Sequence, residues 1–90
     1  MKGRFEAIRE EIALNDEEIV AAVNRRLALV SELWGLKKEL GLETVDTDRE
    51  ERLRQRLAAS SSGLLSDGGL DRLVCELLEL TKRELGAAST

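Results

Sequence analysis

Three basic residues, Arg9, Arg26 and Lys37, interrupt a stripe of apolar side chains in the first half of the chain. The stripe recurs at alternating steps of three and four residues, which is the spacing of one face of a helix. A buried cation without an anionic partner costs several kcal/mol, so each of these three must meet an anion or reach solvent. The pattern therefore indicates either an anion-binding site or long basic side chains that reach solvent from the edge of a coiled coil.

Helix geometry limits which of these cations can act together. Arg26 and Lys37 lie about 16 Å apart along a helix axis, so their side chains can converge on one small ligand between them. Arg9 lies about 25 Å beyond Arg26, too far to reach that ligand from the same chain. If the helix pairs antiparallel with a copy of itself about a two-fold axis near Val20, the partner's Arg9 arrives between Arg26 and Lys37. Such a dimer has two identical sites, each built from both chains.

The elements that would position these residues are predicted to be three helices forming one domain over residues 1–90. The chain has no proline and is rich in leucine, alanine, glutamate and arginine, which favours an all-α fold. The predicted helices span residues 5–40, 48–59 and 70–85. The first would be about 54 Å long, more than a chain of this size can shield from water, so an intertwined homodimer is expected.

Local signals set the predicted helix boundaries. Gly41 is suited to the left-handed cap that ends the first helix. Thr47 and Glu50 have the spacing of a capping box that opens the second. Residues 66–69 are interpreted as a turn before the third helix, and Gly86 as its end.

The third helix is predicted to bury one apolar face. That face contains the residues that recur at three and four: Leu70, Leu73, Val74, Leu77 and Leu78. Cys75, the only cysteine, is interpreted as a core thiol.

Composition and charge exclude several classes of function. A net charge of -4 argues against nucleic-acid binding, which needs a basic face. The sequence contains neither a secretion signal nor a membrane-spanning stretch, so a cytoplasmic location without membrane contact is expected. With one cysteine and no histidine, an internal disulfide is impossible, and neither a metal site nor a cofactor is expected.

A segment from Val45 to Glu50 places acidic and basic residues where a connector enters the second helix, which alone is typical of an ordinary helix start. Read with the first helix, it forms a pattern that resembles the all-helical, dimeric three-helix chorismate mutase family. The positions that carry this resemblance are Arg9, Asp16, Arg26, Lys37, Asp46, Arg49, Glu50 and Thr81. The likeness is close from Ile8 to Leu57 and looser over the third helix.

The resemblance implies a catalytic activity that needs neither metal nor cofactor: the rearrangement of chorismate, a small dicarboxylate, to prephenate. It implies that Arg26 and the partner's Arg9 hold the two substrate carboxylates, and that Lys37 donates to the ether oxygen. It further implies that Asp46 and Glu50 receive the ring hydroxyl.

The remaining positions implied by the family include two departures from its pattern. Arg49 would support the site, and Thr81 would replace a family serine near the ring carboxylate. Leu85 stands where the family has glutamine or glutamate against the ether oxygen, which implies a weak mutase. Trp34 stands where the family commonly has glycine, which we interpret as a packing change outside the pocket.

Other functions of the same fold stay open at this point. One is a mutase for 4-amino-4-deoxychorismate, since Asp46 is compatible with a hydroxyl or an amine. Another is a lyase that removes pyruvate from isochorismate. A third is a non-catalytic helical module that regulates or docks onto a partner enzyme of the shikimate pathway.

Overall fold

The computed structural model describes residues 2–44 and 46–86, and these residues fold into helices joined by short connectors. The elements are α1 (Lys2–Glu39), α2 (Thr47–Ser60), α3 (Asp67–Thr81) and a closing π-helical turn (Lys82–Gly86). The prediction of an all-α chain with three helices and a long first helix is confirmed. Val45, part of the predicted connector, lies outside the described residues, and a single chain does not test the expected dimer.

Helix α1 is much longer than the rest of the chain can cover. It contains 38 residues, and the longest dimension of the molecule is 59 Å. Every position from 2 to 22 is exposed, whereas half-buried positions begin at Val23 and recur to Lys37. The second half of α1 therefore packs against the other elements, and its first half extends beyond them.

The end of α1 follows the predicted glycine signal. Gly41 has a φ of 71°, in the left-handed region that glycine adopts without strain. The N–H of Leu42 donates to the carbonyl of Lys37 at 2.8 Å, and the N–H of Gly41 donates to that of Lys38 at 3.2 Å. This pair of bonds is a Schellman motif, which satisfies two carbonyls at the helix end and turns the chain back toward α1.

The start of α2 differs from the prediction. Its N-cap is Asp46, with extended backbone, and Thr47 is already the first helical residue. The predicted capping box of Thr47 and Glu50 is therefore wrong. An aspartate carboxylate is a stronger N-cap acceptor than a threonine hydroxyl, and here it stands one residue earlier in the chain.

The start of α3 was also misplaced, because the two glycines of residues 66–69 were interpreted as a turn. These residues are the cap and first turn of the helix: the Oγ of Ser66 accepts the N–H of Gly69 at 3.0 Å. A Cβ at Gly69 would lie 3.0 Å from the Cδ1 of Leu65, which is tighter than nine in ten real Cβ contacts. A larger residue at this position would require the Leu65 side chain to shift, so the glycine allows close packing inside the first turn of α3.

The core of the single chain is small and lies on one stripe of α3. Leu70 and Val74 are buried, as predicted, and Thr81 is 5% exposed. Leu73 is 48% exposed and Cys75 is exposed, so both were wrongly assigned to the core. The other helices cover a narrower face of α3 than the apolar pattern predicts. Among the described residues of α3, only Leu70, Val74 and Thr81 are buried.

None of the described helices has the length and hydropathy of a membrane-spanning segment.

Helices α2 and α3 are joined by an ion pair between Arg54 and Asp71, whose charged atoms lie 3.7 Å apart. Both side chains are substantially exposed, and pairs of this kind contribute little to stability. The helices are therefore held together chiefly by the apolar stripe of α3 and by contacts around the cavity described next.

Candidate active site

A cavity of about 500 Å³ opens between the second half of α1, the start of α2 and the end of α3. This volume is in the range of pockets that bind small molecules. Six residues that were predicted for the site line it: Arg26, Lys37, Asp46, Arg49, Glu50 and Thr81. The three helices therefore bring together side chains that are far apart in the sequence.

Arg26 is held in place by α3. Its Nη1 donates a hydrogen bond to the Oγ1 of Thr81, and that hydroxyl donates in turn to the carbonyl of Leu77 at 2.7 Å. Thr81 is buried and Arg26 is half-buried, so the bond is shielded from water. Since the proton of Thr81 is used by the helix carbonyl, the hydroxyl serves as an acceptor that orients the guanidinium.

Lys37 closes the other end of the α1 wall. Its Nζ donates to the backbone carbonyl of Thr44 at 3.3 Å, and its side chain is half-buried. This bond draws the connector between α1 and α2 over the end of the cavity. Arg26 and Lys37 thus border one space from the same face of α1, as their spacing predicts.

Asp46 has a structural task as well as a place in the wall. Its Oδ1 accepts the backbone N–H groups of Asp48 at 3.1 Å and Arg49 at 3.2 Å. These bonds satisfy donors at the start of α2, where the helix dipole also favours a negative charge. Capping fixes Asp46 at the mouth of the cavity. Its second oxygen, Oδ2, takes part in neither of these two bonds.

Glu50 lies one turn further along α2 and faces the π-helical turn. Its Oε1 is 3.9 Å from the Nζ of Lys82, and the carboxylate is one-quarter exposed. Thr81, the residue before this turn, donates its hydroxyl to the carbonyl of Leu77 four residues earlier in α3. Hydrogen bonds of this type often bend helices. Lys82, which sequence reasoning missed, lines the cavity as the first residue of the π-helical turn.

Two predicted site residues do not line the cavity of the described chain. Arg9 lies in the exposed first half of α1, where its guanidinium carbon is 4.6 Å from the ring centre of Phe5. Leu85 lies half-buried in the π-helical turn, which packs against α1. In this arrangement Leu85 is a packing residue beside the site.

Trp34 was interpreted as a packing change outside the pocket, and that interpretation is wrong. Its half-buried indole lines the cavity together with apolar side chains of α1. Arg52 and Arg56 also line the cavity and were not singled out from the sequence. Their positions three and seven residues after Arg49 on α2 are the signal that could have found them.

Within the described residues, no group of three potential ligands is placed to hold a metal ion. The wall instead combines cations, two carboxylates, a hydroxyl and an apolar strip of α1. Such a lining can bind a small anion with an apolar ring, and it can orient that ligand through several charge-assisted hydrogen bonds.

Comparison with known families decides the relationship of the chain. Residues 8–84 match the family described as chorismate mutase type II. The chain belongs to the chorismate mutase type II family. This membership agrees with the resemblance seen in the sequence and with the three-helix architecture. No curated protein and no solved structure matched the chain significantly.

Proposed function

We propose that the chain is a chorismate mutase that converts chorismate to prephenate in the biosynthesis of aromatic amino acids. The observation that carries the proposal is the convergence of Arg26, Lys37 and Asp46 on one cavity of about 500 Å³. The chorismate mutase type II family match over residues 8–84 supplies the class of reaction.

The reaction is an intramolecular rearrangement, so it needs positioning more than chemical attack. The ether bond between the ring and the enolpyruvyl arm breaks while a carbon–carbon bond forms, and no atom is gained or lost. A site can accelerate this step by holding the arm over the ring and by stabilising the negative charge that develops on the ether oxygen. The side chains that line the cavity suit that task.

Each proposed role is the one that the family resemblance implies, and the position of the residue in the cavity is compatible with it. Arg26, oriented by Thr81, binds one substrate carboxylate as a charge-assisted pair. Lys37, at the opposite end of the α1 wall, donates to the ether oxygen. Asp46 and Glu50, at the start of α2, accept the ring hydroxyl.

The site is completed in this proposal by a second copy of the chain. Support comes from the first half of α1, where large apolar side chains are left uncovered, including Phe5 at 56%, Ile12 at 54% and Ile19 at 53% exposure. Antiparallel pairing of two α1 helices covers these side chains and carries the partner's Arg9 toward the cavity. That arginine then binds the second substrate carboxylate.

The deciding experiment is a turnover assay with three separate substrates: chorismate, 4-amino-4-deoxychorismate and isochorismate. We expect prephenate from chorismate, with little or no product from the other two. Product from either alternative substrate alone would assign that activity instead. Binding of chorismate without turnover would favour a regulatory module.

A further inference from the structure

The charge of the cavity wall is opposite to that of the whole chain. The chain has 14 basic and 18 acidic residues, for a net charge of -4. The wall contains six basic residues and only two acidic ones. The basic members are Arg26, Lys37, Arg49, Arg52, Arg56 and Lys82. This separation of charge concentrates positive potential at a concave surface, where it acts on anions in solution.

The two carboxylates do not balance this charge. Asp46 is engaged by backbone N–H groups at the start of α2, and Glu50 is paired with Lys82. A substrate with two carboxylates neutralises two cations. In the proposed function, Arg26 and the partner's Arg9 bind these carboxylates and Lys37 donates to the ether oxygen, which leaves Arg52 and Arg56 without an assigned task.

Three arginines of the cavity wall form a row along one face of α2. Arg49, Arg52 and Arg56 are spaced by three and four residues, which places them within roughly 60° of one another around the helix. Like charges at these spacings destabilise an isolated helix by about 0.2–0.5 kcal/mol per pair. The row therefore weakens α2 unless an anion approaches it.

The neighbouring arginine on another face of α2 shows the contrast. Arg54 lies 3.8 Å from Glu51 and 3.7 Å from Asp71, so its charge is met by carboxylates of the chain. In the described part of the chain, neither Arg52 nor Arg56 has such a partner. Both are exposed while lining the cavity, which is the position of a residue at its mouth.

We propose that Arg52 and Arg56 form a capture site for the substrate dianion at the mouth of the cavity. Resting on the proposed function, this inference assigns to both residues a role in substrate recognition that is separate from the chemical step. Their exposed guanidinium groups attract the dicarboxylate and raise its local concentration, and Arg26 and Lys37 then hold it for reaction. Because exposed charges are screened by salt, their effect must weaken as ionic strength rises.

The test compares charge removal at the mouth with the same removal elsewhere. The double variant Arg52→Gln/Arg56→Gln keeps good helix-forming residues on α2 and loses two positive charges. The matched control Arg25→Gln/Arg72→Gln loses the same charge from exposed arginines that do not line the cavity. Circular dichroism and thermal unfolding establish that both variants fold.

In steady-state kinetics on chorismate at low salt, we expect the cavity variant to lose roughly tenfold in kcat/KM, with kcat within about twofold of wild type. The plot of log kcat/KM against ionic strength should be flatter than that of wild type, and the two should converge at high salt. The control variant should keep the wild-type slope. Equal losses in cavity and control variants, or an unchanged slope, would overturn the capture site.

Calorimetric titration with prephenate separates this proposal from the proposed function. A wild-type chain that binds prephenate in a salt-dependent manner, more tightly than the cavity variant, retains the capture site even if it turns over no chorismate. A wild-type chain that does not bind prephenate overturns the capture site.

Discussion

Thr81 shows how one buried hydroxyl connects a helix to the cation that it orients. It accepts a hydrogen bond from Arg26 and donates one to the carbonyl of Leu77. The hydroxyl therefore uses its one proton, and accepts one hydrogen bond, within the chain. The family pattern places this residue near the ring carboxylate of the substrate, and the structure adds a hydrogen bond through which Thr81 orients Arg26.

The variant Thr81→Val tests this positioning role. Valine has nearly the same shape, but it leaves a half-buried guanidinium without its acceptor, and we expect a loss of about 1–3 kcal/mol in unfolding free energy. Prephenate should bind several-fold more weakly, because Arg26 is no longer oriented. Chemical denaturation and calorimetry measure the two effects.

Thr81→Ser is the matched control, since it retains the hydroxyl and removes only a methyl group. We expect it to restore most of the affinity lost in the valine variant. A valine variant that binds prephenate as tightly as wild type would show that Arg26 does not depend on Thr81.

At the residue scale, the relative positions of two side chains could be predicted from the sequence when both lie on one continuous helix. Arg26 and Lys37 lie on the same cavity because α1 runs unbroken between them. Trp34 and Lys82 were missed because their access to the cavity depends on how separate elements pack. Arg52 and Arg56 were missed for another reason: the recognised motif ended at Glu50, although their helical spacing was visible.

At the scale of elements, Asp46 joins the start of α2 to the cavity. Alanine at this position removes the N-cap and should lower the free energy of unfolding by about 0.5–2 kcal/mol. Asparagine caps a helix as well as aspartate, so Asp46→Asn should keep the stability while removing the charge. We expect both variants to lose catalytic efficiency on chorismate, and only alanine to lose stability.

Thermal unfolding and steady-state kinetics on the two variants separate capping from substrate binding. If Asp46→Asn has wild-type kcat/KM, the negative charge of Asp46 contributes nothing to the reaction, and its task is confined to the helix start.

The observed helix boundaries agree with the sequence-based prediction at the end of α1 and differ from it at the starts of α2 and α3. The end of α1 was correct because glycine with positive φ has few alternatives after a helix. The starts of α2 and α3 were misplaced because several polar residues near each start can serve as the N-cap, and in the structure Asp46 and Ser66 do so. Close packing of Gly69 against Leu65 accounts for a glycine inside the first turn of α3, and a single sequence does not display this contact.

At the scale of the whole molecule, the uncovered half of α1 predicts self-association. We expect the wild-type chain to sediment as a dimer at micromolar concentration, because a partner helix buries the apolar row that the single chain exposes. Ile12→Glu/Ile19→Glu places charges in that row and should give monomers. Sedimentation velocity measures the change.

Leu64→Glu provides a control at a leucine in the connector between α2 and α3 that is 107% exposed, more than Ile12 or Ile19. It should leave the dimer intact. A wild-type chain that sediments as a stable folded monomer would overturn both the dimer and the shared site.

Shared sites make a further prediction about mixed dimers. Arg9→Ala and Arg26→Ala should each abolish turnover of chorismate, because every site of either variant lacks one carboxylate-binding arginine. Refolding the two variants together should restore part of the activity, since a mixed dimer contains one site with both arginines. Native mass spectrometry confirms that mixed dimers form, and a mixture that contains them without activity would show that Arg9 does not act across the interface.

The bond between Arg26 and Thr81 joins positions that are 55 residues apart, which has a consequence during synthesis. A ribosome delivers α1 first, and its cations lie along a helix with no acceptor on α3 to orient them. The guanidinium of Arg26 takes its orientation only when the last turn of α3 emerges and packs. A nascent chain that ends before Thr81 can therefore be helical without having a formed pocket, and the pocket forms only after the end of α3 has been synthesised.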